Sequence, residues 1–130
     1  MTALLLTLTL ALFHLMGPVP ADLGVHNGAL SPCESTAHCA RAEWAVADPQ
    51  AALAALTPVI AATPRTEIVE QADGYLHATA TSAFFGFVDD LELYADSTTG
   101  VLQARSLSRL GDSDLGVNAK RLAALREQLG

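Results

Sequence analysis

The stretch Thr66-Glu-Ile-Val-Glu-Gln-Ala-Asp-Gly-Tyr-Leu-His-Ala-Thr-Ala-Thr-Ser82 decides the fold, because it contains the clearest hairpin signal in the chain. The dipeptide Asp73-Gly74 suits a two-residue hairpin turn, since both residue types tolerate the left-handed backbone that this turn needs. Residues 66–72 and 75–82 lie on either side of the turn and favour strands. The stretch therefore predicts two antiparallel strands joined by a tight turn.

Two more strands are predicted downstream. They are Phe84–Ala95 and Val101–Ser108, with the turn Asp96–Gly100 between them. Four consecutive strands joined by short turns indicate an antiparallel meander.

A helix is predicted on each side of this meander. The first covers residues 48–62, with a kink or a restart at Pro58. The second begins with Asn118 as its N-cap and carries leucines along one face. The predicted fold is a single α+β domain over residues 48–130, with the helices packed on one face of a four-stranded sheet. Residues 22–47 are predicted to be an irregular segment with a cysteine loop.

The first 21 residues carry no charged side chain. The apolar run Leu4–Met16, the helix-breaking pair Gly17-Pro18 and the small residues that follow are typical of a secretory signal peptide cleaved after Ala21. The alternative is an uncleaved anchor, but the run is shorter than the roughly 20 apolar residues that span a bilayer. We therefore expect a periplasmic or secreted protein without a stable membrane span after cleavage.

Two cysteines, Cys33 and Cys39, stand early in the predicted mature chain. In an exported protein the expected state of such a pair is a disulfide. The alternative is a metal site with His26 and His38, but the cysteine spacing is not that of a zinc knuckle. We expect no metal and no cofactor.

Strand parity singles out Asp89, which shares a predicted face with Phe85, Phe87 and Leu91. That face is apolar enough to be the core, so Asp89 is expected to be a buried carboxylate that needs a partner. With a turn of three or five residues, Arg105 on the next strand lies opposite or diagonal to Asp89. Two interpretations are open: a structural ion pair, or a polar pocket in which Asp89 acts on a ligand.

Residues 105–121, between the last strand and the last helix, are dense in side-chain donors and acceptors. The alternation Asp112, Asp114, Gly116, Asn118 matches a calcium loop poorly, because the glycine is misplaced and no glutamate closes the loop. Turn and helix-cap chemistry is favoured instead. With the carboxylates of the preceding strand, the predicted polar cluster comprises Asp89, Asp90, Arg105, Ser106, Ser108, Arg109, Asp114, Asn118 and Arg121.

Three motifs follow one another along the chain. They are Leu30-Ser-Pro-Cys33 with Cys39, Phe87-Val-Asp-Asp90, and Arg105-Ser-x-Ser-Arg109-x-Gly-x-Ser-Asp114-x-Gly-x-Asn118-x-x-Arg121. In these motifs the sequence resembles the domain of unknown function 1499 family, an uncharacterised bacterial family. Residues 34–38, inside the cysteine loop, depart from the family's pattern. The resemblance implies a shared polar cluster and no known activity.

Two functions are weighed. The first is a small exported, non-enzymatic binding or structural module that contacts a protein partner or a small anionic ligand near its arginines. The alternative is a small periplasmic enzyme that uses Asp89, Asp90 or Asp114 beside Arg105 and Arg109. The net charge of −7 disfavours nucleic acid as a partner, because phosphate backbones require clustered Lys and Arg.

Overall fold

The computed structural model describes residues 16–130. Residues 1–15, which hold most of the predicted signal peptide, lie outside the described residues. Seven strands and two helices follow in chain order: β1 (Val25–His26), β2 (Ala29–Leu30), β3 (Cys39–Ala45), α1 (Pro49–Ala62), β4 (Thr66–Ala72), β5 (Tyr75–Thr81), β6 (Val88–Asp96), β7 (Val101–Ser108) and α2 (Val117–Glu127).

The main sheet has five antiparallel strands in the order β3-β7-β6-β5-β4, and β1 and β2 form a separate small hairpin. The predicted α+β class is confirmed, and strands β4 to β7 form a meander. The expectation of four strands was wrong, because β3 lies in the segment predicted to be irregular. Its inward positions include only the small residues Ala40 and Ala42 before Trp44, so its apolar alternation is weak.

The turn at Asp73-Gly74 fixes the β4–β5 hairpin. Both residues have positive φ, at 52° and 78°, and Ala72 pairs directly with Tyr75 across the turn. This geometry is that of a two-residue hairpin with the left-handed residues it favours, as predicted. The β1–β2 hairpin uses the same device at Asn27-Gly28, where φ is 54° and 79°.

Both helices pack on one face of the main sheet. Asp48 caps α1 by accepting a hydrogen bond from the Ala51 amide at 3.1 Å, and the helix continues through Pro58 without restarting. Helix α2 starts after Gly116, so the predicted N-cap role of Asn118 was wrong. The buried core between the helices and the sheet consists of Leu53, Leu56, Ile60, Leu76, Ala78, Leu91, Leu93, Ala95, Leu102, Ala104, Leu122 and Leu125.

The N-terminal segment covers part of the other face of the sheet. The Gly24 amide donates to Glu92 Oε1 at 2.7 Å, and the Leu30 amide donates to Gln103 Oε1 at 2.9 Å. Glu92 and Gln103 belong to the central strands β6 and β7 and are buried. The sheet is thus enclosed by helices on one side and by hydrogen-bonded, mostly irregular chain on the other.

The predicted disulfide between Cys33 and Cys39 is present, with a Cα–Cα distance of 5.6 Å. It joins the end of the N-terminal segment to the first residue of β3. Across residues 16–130, no helix combines the length and the apolar character that crossing a membrane requires.

Reduction of this disulfide should destabilise the fold by about 2 kcal/mol, because the bond closes a short loop that is otherwise free in the unfolded chain. Urea unfolding with and without reductant measures the difference. The double variant Cys33→Ser/Cys39→Ser is the control and should not respond to reductant. An equal midpoint for the oxidised and reduced wild type would contradict the expected contribution.

Candidate functional site

The pairing of β6 with β7 places the predicted site residues. Asp89 lies opposite Ser108, and Arg105 lies opposite Glu92. The predicted pairing of Asp89 with Arg105 was therefore wrong. Asp96 pairs with Val101, so the turn leaves four residues unpaired rather than three or five. An even number of turn residues puts Arg105 on the same face as Glu92, the face opposite to that of Asp89.

Glu92 is the centre of the first polar cluster, named here the Glu92 cluster, and it is fully buried. Its Oε2 accepts from Arg105 Nη1 at 3.1 Å, and its Oε1 accepts from the Tyr75 hydroxyl at 2.6 Å and from the Gly24 amide. Asp22 closes the cluster by accepting from Arg105 Nη2 at 2.8 Å. Each charge in this dry site therefore has a partner of opposite sign, which is the condition for burying it.

Tyr75 is bound to this cluster as a hydrogen-bond donor. Burial and the adjacent Glu92 carboxylate raise the pKa of the Tyr75 hydroxyl well above its ordinary value. The proton therefore stays on Tyr75, and the hydroxyl holds Glu92 in place rather than acting as a base.

Asp90 is the centre of a second cluster on the same face, named here the Asp90 cluster. Arg109 donates from Nε to Asp90 Oδ2 at 2.8 Å and from Nη2 to Oδ1 at 3.0 Å, which is a two-pronged pairing. His77 Nε2 lies 2.7 Å from Asp90 Oδ1. Burial acts to raise the pKa of Asp90, but the hydrogen bonds from His77 and Arg109 outweigh it and lower that pKa.

Asn118 is the centre of a third cluster, named here the Asn118 cluster, on the helix side of the sheet. Its amide nitrogen donates to Asp114 Oδ2 at 2.7 Å, to Ser108 Oγ at 2.9 Å and to the His38 carbonyl at 3.3 Å. Its amide oxygen accepts from Ser106 Oγ at 2.6 Å. One buried side chain thus ties the start of α2 to β7 and to the cysteine loop.

Arg121 and Asp114 complete this cluster. Arg121 Nη1 donates to Ser106 Oγ at 3.0 Å, and Arg121 Nη2 forms an ion pair with Asp89 Oδ2 at 3.0 Å. Asp114 accepts from the backbone amides of Gly116 and Asn118, which is cap chemistry at the start of α2. Burial opposes the ionisation of Asp114, but the hydrogen bond from Asn118 and the backbone amides lower its pKa.

The structure divides the nine predicted residues between the two faces of the sheet. Arg105 belongs to the Glu92 cluster, and Asp90 and Arg109 belong to the Asp90 cluster. The Asn118 cluster takes the rest: Asp89, Ser106, Ser108, Asp114, Asn118 and Arg121. The contacts within the three clusters join the strands to each other, to the N-terminal segment and to α2.

Five side chains that contribute to these sites were not predicted, and Asp22 of the Glu92 cluster is one of them. Glu92, Tyr75 and His77 share one face of β5 and β6, and the alternation of Asp90 with Glu92 was the available signal. The N-terminal segment covers this face and leaves no periodic pattern in the sequence, so the burial of the face could not be predicted. Gln103 was missed for the same reason; it accepts from the Leu30 amide and from Arg41 Nη2, both at 2.9 Å.

An open groove runs between α1 and α2 and is named here the interhelical groove. Its volume is about 380 Å³, and Leu91 of β6 lies among its lining residues. Most of its lining is apolar, while Lys120 and Arg121 supply positive charge. Among the described residues, Lys120 has no carboxylate within ion-pair distance. The lining residues are Val59, Ile60, Thr63, Thr66, Leu91, Val117, Lys120, Arg121, Ala124, Leu125 and Gln128.

Residues 26–129 match the sequence model of the family described as "Protein of unknown function (DUF1499)". No curated protein and no solved structure matches the chain. The match includes all three polar clusters except Asp22 and Gly24 of the Glu92 cluster.

Replacing Asp90 should lower the stability of the protein at neutral pH and have a smaller effect in acid, because only the ionised carboxylate pairs with Arg109. Asp90→Asn is expected to cost about 3–5 kcal/mol at neutral pH, because it leaves the Arg109 charge buried without a partner. The pKa of Asp90 is lower in the folded state than in the unfolded state, where it is about 3.9. Ionised Asp90 therefore stabilises the fold at pH values above about 3.9, and this contribution is lost as the pH falls through the folded-state pKa.

Urea unfolding of wild type and Asp90→Asn between pH 7 and pH 2 measures this effect, and the difference should shrink below about pH 4. Asp112→Asn removes an exposed carboxylate nearby and should change stability by less than about 0.5 kcal/mol. A difference between wild type and Asp90→Asn that is constant over the whole pH range would contradict the prediction.

Replacing Asn118 should remove the hydrogen bonds that join the start of α2 to β7. Asn118→Ala is expected to destabilise the protein by about 2–3 kcal/mol, because it removes the acceptor of the buried Ser106 hydroxyl and the hydrogen bonds to Ser108 and Asp114. Lys120→Ala, an exposed change two residues along the same helix, should stay within about 0.5 kcal/mol of wild type. Equal unfolding free energies for the two variants would show that the Asn118 cluster contributes nothing.

Proposed function

The chain belongs to the DUF1499 family, whose description assigns no function, and we propose that it is a non-enzymatic binding module. The proposal separates a closed polar frame from an open binding surface. The three polar clusters are the frame, and the interhelical groove is the surface.

One observation carries this proposal: the charged side chains expected to form a catalytic site pair with each other and with their neighbours. Of the three carboxylates in the enzyme hypothesis, Asp90 is fully buried, Asp89 pairs with Arg121, and Asp114 caps the start of α2. Glu92, which was not predicted, is fully buried as well. Every carboxylate oxygen of Asp90 and Glu92 already accepts at least one hydrogen bond. A catalytic carboxylate must reach a substrate, and these two are shielded from solvent.

The ion pairs of the arginines limit which positively charged side chains an anionic ligand could contact. Arg105 and Arg109 are neutralised by Asp22, Glu92 and Asp90, which disfavours both as ligand contacts. Lys120 and Arg121 lie at the interhelical groove, and the Lys120 ammonium is exposed. Lys120 is therefore the available positive charge, and it lies beside the apolar lining of the interhelical groove.

The chemistry of the groove favours a small amphiphilic anion as its ligand. An alkyl chain fits against Val59, Ile60, Leu91 and Leu125, while an anionic head group lies near Lys120. Burying each CH₂ group contributes about 0.8 kcal/mol, and the head group fixes the direction in which the chain lies. Simple carboxylates with an alkyl tail represent this class.

We also propose that the module works outside the cytosol. The Cys33–Cys39 disulfide supports this location, because such bonds persist in oxidising compartments. The charge-free apolar run at residues 4–16 supports it independently.

One observation favours the enzyme as a second candidate. His77, paired with Asp90, lies at a cleft of about 490 Å³ that Glu70, Tyr75 and Tyr94 also line. A histidine oriented by a carboxylate is a frequent general base. The two-pronged contact of Arg109 draws on both oxygens of the same carboxylate, however, and this arrangement fits a structural brace better.

The proposed ligand class predicts how affinity depends on chain length and on one charge. Octanoate should bind wild type more tightly than butanoate, by roughly fourfold for each CH₂ group that is fully buried. Lys120→Ala should weaken octanoate binding by about two- to fivefold, the effect of one exposed ion pair. Chemical-shift titration below the micellar concentration measures both effects and locates the ligand.

Arg126→Ala is the matched control, because it removes one positive charge from the same helix outside the groove. It should leave octanoate affinity unchanged. Equal weakening by Lys120→Ala and Arg126→Ala would point to non-specific attraction, and shifts at His77 rather than at Val59 and Leu125 would favour the cleft of the second candidate.

A further inference from the structure

One end of the main sheet carries several exposed apolar side chains. At this end β4 and β6 begin and β5 and β7 end. The loop between β5 and β6 lies here and carries three phenylalanines. Phe84 is 94 % exposed, Phe85 is 64 % exposed and Phe87 is 40 % exposed. We name this end of the molecule the aromatic end.

The loop is ordered by its own hydrogen bonds. The Ser82 amide donates to the Phe87 carbonyl at 2.9 Å, and the Phe87 amide donates to Ser82 Oγ at 2.9 Å. Gly86 takes a positive φ of 67° inside the closed loop, and the rings of Phe85 and Phe87 stack at 5.5 Å. The closed loop therefore holds the aromatic rings outside the core instead of folding them inward.

A second loop adds apolar side chains at the same end. The Arg109 amide donates to the Val88 carbonyl, so the chain that leaves β7 starts beside the phenylalanine loop. Further along, Leu115 is 86 % exposed and has a φ of 54°, a conformation that L-residues other than Asn and Asp rarely adopt. Leu115 therefore combines an exposed apolar side chain with a backbone conformation that is unfavourable for leucine.

Gly17, close to the first described residue, lies at this end as well. Gly17 packs so closely on the loop after β7 that a Cβ there would lie 2.8 Å from Leu110 Cγ. Residues 4–16, immediately before Gly17, are almost entirely apolar. The exposed phenylalanines therefore lie at the end of the molecule where the described chain begins, and the residues that precede this point in the sequence are mostly apolar.

The charges at the aromatic end do not favour an anionic surface. Exposed side chains of both signs are present, among them Arg65 and Asp112, and the protein carries a net charge of −7. An environment that accepts aromatic and aliphatic side chains without demanding positive charge is the interface of a zwitterionic bilayer.

We propose that the aromatic end is a membrane-contact surface, on which Phe84, Phe85 and Leu115 insert into the interfacial region of a zwitterionic lipid bilayer. The contact is made by two projecting loop tips. None of these three residues lines the interhelical groove, and the proposal does not depend on the ligand proposed for that groove.

A single tryptophan placed in the loop tests this contact in the full chain. Trp44 is the only native tryptophan and packs against the core, so Trp44→Phe supplies a silent background. The reporter is Phe84→Trp, with Leu115→Trp as a second reporter on the other loop. The reporter proteins are mixed with phosphatidylcholine vesicles, with and without bromine in the acyl chains, and aqueous iodide is the opposing quencher.

In vesicles, both reporters should be quenched by the brominated lipid. Their iodide quenching constants should fall by roughly threefold or more, because inserted side chains lie ~5–10 Å inside the head-group boundary. Val25→Trp is the control, since Val25 lies with Ala72 and Asp73 towards the opposite end of the sheet. It should stay accessible to iodide and unaffected by bromine, even if the apolar N-terminal run itself holds the chain on the vesicle.

Three outcomes would overturn the proposal. The chain does not associate with the vesicles, or it associates while both loop reporters remain as accessible to iodide as they are in buffer. The third outcome is shielding of the reporters that rises with protein concentration in the absence of lipid, which would assign the aromatic end to contact with a second copy. Urea unfolding of each variant confirms that the reporters are read in folded protein.

Discussion

The buried pair of Glu92 and Arg105 is the interaction on which the rest of the structure depends. It lies on the two central strands of the sheet, in a position that water does not reach. Two charges are stable there only when further partners compensate for the loss of water, and Asp22, Gly24 and Tyr75 supply hydrogen bonds to them. Arg105 Nε is left without a partner. The N-terminal segment is therefore part of the fold and cannot be treated as a linker, because removing it would leave the Arg105 charge without half of its partners.

The same physical requirement explains what kinds of surface remain for function. Polar side chains of the central strands are used to join the sheet to its two covers, so few of them are left to act on a ligand. Two of the open surfaces are mainly apolar: the groove between the helices and the loops of the aromatic end. These two surfaces are the ones for which we propose contacts with apolar or amphiphilic molecules.

The local features of the fold could be predicted from the sequence, and the features that depend on distant contacts could not. Asp73-Gly74 and Asp48-Pro49 determine a turn and a helix start through their own backbone preferences, so both were found. The faces of the last two strands depended on a turn length whose parity the sequence does not reveal, so the partner of Arg105 was assigned to Asp89 instead of Glu92. Glu92 is buried by the N-terminal segment, which begins near residue 22. This segment has no periodic sequence pattern from which its packing on the sheet could be predicted.

The hydrogen bonds of that cover also bear on the order in which the protein folds. They join residues 68 to 83 positions apart in sequence, so both ends of the chain must be available before the bonds form. A chain that emerges N-terminus first exposes residues 22–30 long before β6 and β7 exist to receive them. Contacts of such long range close late in folding, because the entropy of closing the intervening loop opposes them until the sheet is in place. Until then Glu92 and Arg105 are exposed to water. Their ion pair becomes buried only when residues 22–30, which are synthesised first, dock on the sheet last.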